Sequence, residues 1–197
     1  MKHLYAIVIL FLTNTCCFAQ SQDEVIELIT QAAASIKCIN CQFIQQKTMA
    51  MLKEPAVSRG IISYKSPDKI RWEYTTPYSF ALVVDGEKIV RITDSIEDVL
   101  DMKTARMYQG FVNSIMDITK GKNVFDKSMF DIDINNTNWL WIVKVQPKKH
   151  NMKRIFTTLT VDYRKTDKII NRIEITQACG VTTTIHFFDV KINELCD

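Results

Sequence analysis

The sequence predicts an α+β fold that is mainly β, with about 11 short antiparallel strands in one strongly curved sheet and helices over its concave side. Short segments in which apolar and polar residues alternate recur from residue 41 to residue 190, as expected for strands with one buried face. Residues 58–86 place three such segments in tight succession. Apolar residues with a helical period occur near the start and the middle of the chain. A fully closed barrel without helices is the main structural alternative.

The first 19 residues have the pattern of a secretory signal peptide. Lys2 is basic, residues 4–12 are apolar but too few to span a bilayer, and Ala19 is a small residue suited to cleavage. We therefore expect export across the inner membrane to the periplasm. Residues 20–197 are predicted to form a single domain, because no repeat and no linker rich in Gly, Ser or Pro divides them.

The composition favours a folded globular protein. Hydrophobic residues make up 47% of the chain and charged residues 24%, which argues against disorder. The net charge is only +3, and basic residues are interspersed with acidic ones. This pattern argues against a nucleic-acid partner and allows weak attraction to anionic surfaces.

The mature chain is predicted to begin with a helix and a strand. Residues 23–36 carry apolar side chains with a period of 3.6 and acids in the first turn, which indicates an amphipathic helix. Residues 41–52 alternate as a strand until Lys53-Glu54-Pro55 turns the chain. Within the meander of residues 58–86, Ser-Pro-Asp and Thr-Thr-Pro separate the three strands.

The elements after the meander continue the sheet. Residues 107–119 have the apolar spacing of a short helix, with Gly121 at its end. Further strands are predicted at residues 88–93, 97–102, 129–134, 139–146, 155–163, 169–176 and 181–190.

Alternation assigns a set of large apolar side chains to one face of the early strands. They line a cavity if space remains beneath them, and they form an ordinary filled core if it does not. The predicted inward set consists of Phe43, Ile62, Tyr64, Ile70, Trp72, Tyr74, Leu82 and Val84.

Four cysteines follow the signal peptide: Cys38, Cys41, Cys179 and Cys196. An even count in an oxidising compartment favours structural disulfides, for which three connectivities are possible, and free thiols are the second interpretation. Cys38 and Cys41 follow the end of a predicted helix, whereas a redox-active pair needs the helix start to lower its thiol pKa. No second short Cys pair completes a zinc site, so we expect no metal.

The sequence contains no catalytic constellation. His150 is predicted to be a solvated loop residue and His186 a strand residue, and neither lies in a known catalytic or metal-ligand motif. We therefore expect no enzymatic activity and no cofactor. The basic run at residues 148–154 is interpreted as a solvated hairpin, with contact to anionic lipid or a partner as the alternative.

The order of several motifs resembles one protein family. Gly60, Tyr64, Pro67, Arg71-Trp72-Glu73-Tyr74 and Pro77 form the strongest part, followed by Val83-Val84-Asp85-Gly86. A Phe-x-Gln strand at residues 43–45, the segment at residues 180–187 and Asn193 extend the match toward both ends. These residues resemble the periplasmic outer-membrane lipoprotein carrier family, the LolA-like proteins.

The resemblance implies an unclosed antiparallel barrel with a helical lid over an apolar, lipid-binding cavity. The lid candidates are Phe111, Ile115 and Met116. It also implies a monomeric periplasmic chaperone that takes acylated lipoproteins or related lipids from an inner-membrane lipoprotein-releasing complex and carries them to the outer membrane. A lipid-sensing or scaffolding module of the same shape and an envelope hydrolase are the alternatives. The family has an Arg that bonds to the lid at the position of Ser66.

Overall fold

The fold is dominated by one antiparallel sheet of 11 strands. The computed structural model describes residues 21–86, 88–94, 96–100, 125–194 and 196. The helices are α1 (Gln22–Ala34) and α2 (His150–Lys153). The strands are β1 (Cys38–Thr48), β2 (Ala56–Lys65), β3 (Lys69–Thr76), β4 (Phe80–Asp85), β5 (Lys88–Thr93), β6 (Ile96–Val99), β7 (Phe130–Asn136), β8 (Leu140–Pro147), β9 (Thr158–Arg164), β10 (Ile170–Thr176) and β11 (Thr182–Ile192).

The strand order joins two meanders at the centre of the sheet. It runs β6-β5-β4-β3-β2-β1-β11-β10-β9-β8-β7, so neighbours in sequence are neighbours in space within each half. The first and last strands pair along their length, from Ile39 opposite Ile192 to Thr48 opposite Thr182. The outermost strands β6 and β7 do not pair, and the sheet is therefore unclosed.

Helix α1 forms because its sequence provides both a cap and an apolar stripe. The side chain of Ser21 accepts a hydrogen bond from the backbone N–H of Glu24 at 3.2 Å, and the acids Asp23 and Glu24 favour the positive end of the helix dipole. Val25, Ile29 and Ala33, spaced four residues apart, are its buried residues.

The stripe of α1 covers the half of the sheet formed by β7 to β10. Val25 and Ile29 belong to one core cluster with the inward side chains of those strands. The strand members are Phe130, Trp141, Val143, Val145, Leu159, Val161, Tyr163, Ile170 and Ile173. The Nζ of Lys127 donates to a carboxylate oxygen of Asp23 and so joins the start of the helix to the turn before β7.

The other half of the sheet has a core cluster of its own. Its buried members come from β1 to β5 and from β11: Cys41, Phe43, Ile62, Ile70, Trp72, Leu82, Val84, Ile89 and Ile185. Gly60 makes room for this cluster, because Phe43 lies opposite it on the neighbouring strand and covers its backbone.

The end of the chain is fastened to the junction between α1 and β1. The side-chain oxygen of Asn193 accepts hydrogen bonds from the backbone N–H groups of Lys37 and Cys38 at 2.6 and 3.2 Å. Its side-chain nitrogen donates to the carbonyl oxygen of Ser35 at 3.0 Å. A disulfide between Cys38 and Cys196 closes the same junction.

The structure confirms the predicted fold class, a mostly β protein with an unclosed antiparallel sheet of 11 strands. Of the four cysteines considered as possible disulfide partners, Cys38 and Cys196 are bonded, and Cys41 and Cys179 are free thiols. Cys41 points into the core from the middle of the sheet, and Cys179 is exposed in the loop between β10 and β11.

Several predicted boundaries were wrong. The first strand begins at Cys38 and ends at Thr48, rather than spanning residues 41–52, because it pairs with β2 from Cys38 onward. The helix predicted to end at residue 36 ends at Ala34, where the N–H groups of Ser35 and Ile36 donate to the carbonyl oxygens of Ala32 and Ala33 at 3.1 and 3.2 Å. The predicted helix at residues 107–119 lies outside the described residues.

Candidate functional site

An apolar cavity lies at the seam between the two core clusters, beside the second half of α1. The volume of the cavity is about 60 Å³, and the open cleft around it, which includes solvent, is about 690 Å³. The lining residues are Ile29, Ala33, Ile36, Ile39, Cys41, Ile62, Tyr64, Ile70, Tyr163, Lys168, Ile169, Ile170, Phe187 and Val190.

The position of the cavity shows that the sheet is curved. Ile70 on β3 and Tyr163 on β9 both line it, although five strand spacings separate β3 from β9. In a flat sheet those spacings would amount to about 24 Å. The sheet therefore bends toward α1 until strands from both halves border the same space.

The lining of the cavity is almost entirely hydrocarbon. Burial raises the pKa of the Cys41 thiol to about 12, so this group is neutral near pH 7. Burial also raises the pKa of Tyr163, which keeps its phenol protonated. The charged residue of the lining is Lys168, in the turn between β9 and β10. The site thus offers dispersion contacts rather than directional polar ones.

Three of the predicted inward residues border the cavity: Ile62, Tyr64 and Ile70. The other five, Phe43, Trp72, Tyr74, Leu82 and Val84, pack beside it and belong to the core cluster of that half or lie against it. Contact of the eight residues with lipid stays a prediction. The lid candidates Phe111, Ile115 and Met116 lie outside the described residues.

An aromatic group forms the wall next to the cavity. The ring centroids of Phe43 and Trp72 are 5.0 Å apart, and those of Phe43 and Tyr74 are 5.2 Å apart. Both distances lie in the range of favourable ring pairs. The hydroxyl of Tyr74 donates to the side-chain oxygen of Gln45 at 3.0 Å, and burial raises the pKa of this phenol.

The sequence analysis missed the lining residues outside the first three strands of the sheet. Ile29, Ala33 and Ile36 come from α1, and their helical spacing was the signal that could have identified them. Tyr163, Ile170, Phe187 and Val190 come from the second half of the sheet. Their strands were predicted, but no local pattern indicated which of their residues meet the early strands.

The opposite face of the sheet is polar. Arg172 donates to Asp162 at 2.8 Å and to Glu174 at 2.9 Å, and these hydrogen bonds and charges raise the pKa of the Arg172 guanidinium. His186 is exposed on β11, opposite Arg172, and His150 is exposed at the start of α2. Within the described ranges, no group of three or more His, Cys, Asp or Glu side chains could hold a metal ion.

A curved antiparallel sheet with an apolar cavity against a helix belongs to the class of folds that have room for an apolar ligand in their interior. Within that class, the sequence model of the family described as outer membrane lipoprotein carrier protein LolA matches residues 34–197. The chain belongs to this family. None of the helices in the described part of the chain has both the length and the hydrophobicity needed to cross a bilayer.

Individual relatives support the assignment at low sequence identity. An outer-membrane lipoprotein carrier protein of Xanthomonas campestris pv. campestris (strain B100) is 24% identical over 190 residues, which are 96% of this chain and 86% of that protein. One from Dechloromonas aromatica (strain RCB) is 24% identical over 80% of this chain and 72% of its own. The crystal structure of an uncharacterized conserved protein from Thermus thermophilus has the same fold, with a TM-score of 0.53 at 9% identity over 89% of this chain and 90% of that one.

Proposed function

We propose that this protein is a periplasmic carrier that binds the acyl chains of lipoproteins released from the inner membrane and takes them to the outer membrane. The observation that carries the proposal is the hydrocarbon-lined cavity at the seam of the sheet, in a chain of the LolA family. Binding there is reversible, because it depends on apolar contact and forms no covalent bond.

Apolar sequestration answers a definite physical need. Each methylene group that leaves water contributes about 0.8 kcal/mol, so several acyl chains in free transit would cost on the order of 30 kcal/mol. A cavity needs a volume of about 10–15 Å³ to hold one water molecule. The cavity of about 60 Å³ therefore accepts one end of a chain. Full loading requires the walls to separate, with α1 and the early strands moving apart.

The proposed donor is an inner-membrane lipoprotein-releasing complex, and the proposed location is the periplasm. Two features support the location. The disulfide between Cys38 and Cys196 is typical of proteins that fold in an oxidising compartment. Residues 1–19 have the sequence pattern of a cleaved signal peptide.

Native mass spectrometry of protein purified from a membrane-bearing host tests the proposal. We expect bound acylated species on the unchanged protein and their loss in Ile62→Asp, because this substitution places a charge in the cavity lining. Ile61→Asp is the matched control: Ile61 is the preceding residue of the same strand and is exposed. Both variants are compared for folding by thermal unfolding.

An apolar interior that never carries acyl species, in protein from a host with active lipoprotein export, would contradict the carrier function and leave a scaffold of the same shape. A hydrolase would instead lose activity on substitution of His150 or His186. A carrier retains lipoprotein release from the inner membrane in His150→Ala and His186→Ala, since both side chains are exposed and away from the cavity lining.

A further inference from the structure

Five loops lie together at one end of the sheet. The strand registers place the end of β1 beside the start of β11 and the end of β10, and the end of β3 beside β2 and β4. The loops at this end connect β1 to β2, β3 to β4, β5 to β6, β8 to β9 and β10 to β11. We call this end the rim. The cavity lies nearer the other end, where the turn containing Lys168 contributes to its lining.

The rim holds most of the large apolar side chains that the structure leaves in water. Met51 is 94% exposed in the loop between β1 and β2, and Leu52 follows it. Tyr78 is 73% exposed between β3 and β4, and Ile96 is 71% exposed at the start of β6. Ile155 extends the series into the loop between β8 and β9. Exposed apolar side chains on three loops and at the start of β6 thus lie at one end of the sheet.

One loop of the rim is strongly basic, whereas the β1–β2 loop pairs Lys53 with Glu54 in sequence and the β5–β6 loop holds Asp94. Residues 148–157, which connect β8 to β9, contain Lys148, Lys149, Lys153 and Arg154 and no acidic residue. Lys148 is held by Asp131 at 3.5 Å, and Lys149 lies close enough to Asp126 to help lower the pKa of that carboxyl. No ion pair of Lys153 or Arg154 occurs among the contacts of the described residues. Basic side chains next to exposed apolar ones form the combination that binds anionic membrane surfaces.

We propose that the rim docks on an anionic lipid bilayer, with Met51 and Tyr78 entering the interface and the β8–β9 loop contacting lipid phosphates. The apolar side chains stand on different loops, and a fluid interface accommodates each of them separately. Tyrosine is well suited to the boundary between lipid and water, because its ring is apolar and its hydroxyl reaches water. Docking by the rim leaves the lining residues Ile36 and Lys168 at the other end, away from the bilayer.

Sedimentation with lipid vesicles tests the proposal. The unchanged protein should bind vesicles of phosphatidylcholine with about one third phosphatidylglycerol far better than vesicles of phosphatidylcholine alone. Binding should fall when salt rises from about 0.1 M to about 1 M, because the screening length drops from about 10 Å to about 3 Å. In the combined variant Lys153→Glu/Arg154→Glu, the vesicle-binding constant should fall at least about fivefold for each of the two basic residues replaced.

The apolar contribution is tested by Met51→Asp/Tyr78→Asp, for which we expect at least a tenfold loss on the anionic vesicles. Trp139→Asp is the matched control, since Trp139 is 77% exposed but lies in the β7–β8 turn at the other end. It should bind like the unchanged protein. Thermal unfolding checks that all variants are folded.

Any of three vesicle results would overturn the inference: no binding to anionic vesicles, equal losses in the Trp139 and rim variants, or undiminished binding of the rim variants. Capture of a protein partner by the rim without vesicle binding would overturn it as well. The outcome is independent of cargo loading. Ile62→Asp should still bind vesicles, and Met51→Asp/Tyr78→Asp should still co-purify with acyl species.

Discussion

At the scale of single residues, Gly60 determines how closely the aromatic wall packs on the sheet. A Cβ at this position would clash with the carbonyl oxygen of Glu73 and would lie 2.6 Å from the ring of Phe43. The first of these contacts is with backbone, so a side-chain rotation cannot relieve it.

We therefore expect Gly60→Ala to lower the free energy of unfolding by about 3 kcal/mol, as in overpacked cores. Urea unfolding followed by circular dichroism measures the change. Ser63→Ala, in the same strand, is the control and should stay within about 0.5 kcal/mol of the unchanged protein. A Gly60→Ala protein as stable as this control would show that the backbones of β2 and β3 move apart easily at this position.

The two free cysteines should differ sharply in reactivity. Burial raises the pKa of Cys41 to about 12, so the reactive thiolate is scarce at pH 8, whereas Cys179 is exposed. Alkylation of the native protein with iodoacetamide, followed by peptide mass spectrometry, should label Cys179 quickly and Cys41 only after unfolding. Equal labelling rates would mean that the cavity is open to water at Cys41.

At the scale of elements, a disulfide and the hydrogen bonds of Asn193 join the segment after the last strand to the start of the first strand. The disulfide between Cys38 and Cys196 closes a loop with a sequence separation of 158 residues. Asn193 holds the same junction through hydrogen bonds to the backbone of residues 35–38.

Cys196→Ser should lower the free energy of unfolding by about 2–4 kcal/mol, because the unfolded chain regains the freedom that the cross-link removes. The measurement is urea unfolding without reductant. Cys179→Ser, which removes an exposed free thiol, is the matched control and should have no effect. If the two variants are equally stable, Asn193 and strand pairing hold the chain end without the disulfide.

Local patterns predicted the elements better than their pairing. The helical period of Val25, Ile29 and Ala33 predicted α1, with a C-terminal end only two residues too late. The alternation of apolar and polar residues predicted the meander of β2, β3 and β4. The pairing of β1 with β11 connects residues about as far apart as the chain allows, and no local signal specifies it. The Cys38–Cys196 disulfide depends on that pairing, which is why its connectivity stayed open in the sequence.

At the scale of the whole molecule, the site arises from curvature rather than from any one element. Alternation identified Ile62 and Ile70 as inward residues, but it could not separate them from Phe43 and Trp72, which have the same parity along their strands and pack in the core. Whether an inward residue borders empty space depends on how far β9 and β10 bend toward β3. The separation of β9 and β10 from β3 depends on how both halves of the sheet pack against α1, and no local sequence pattern predicts it.

The central claim is that acyl chains occupy this seam. Methyl NMR with isotope-labelled isoleucine, during titration with an acylated peptide, measures it most directly. We predict large shifts for the lining residues Ile29, Ile62 and Ile70, and none for Ile61, which is exposed, or Ile142. Shifts confined to Ile61 and Ile142, or no shifts at saturating peptide, would contradict the account.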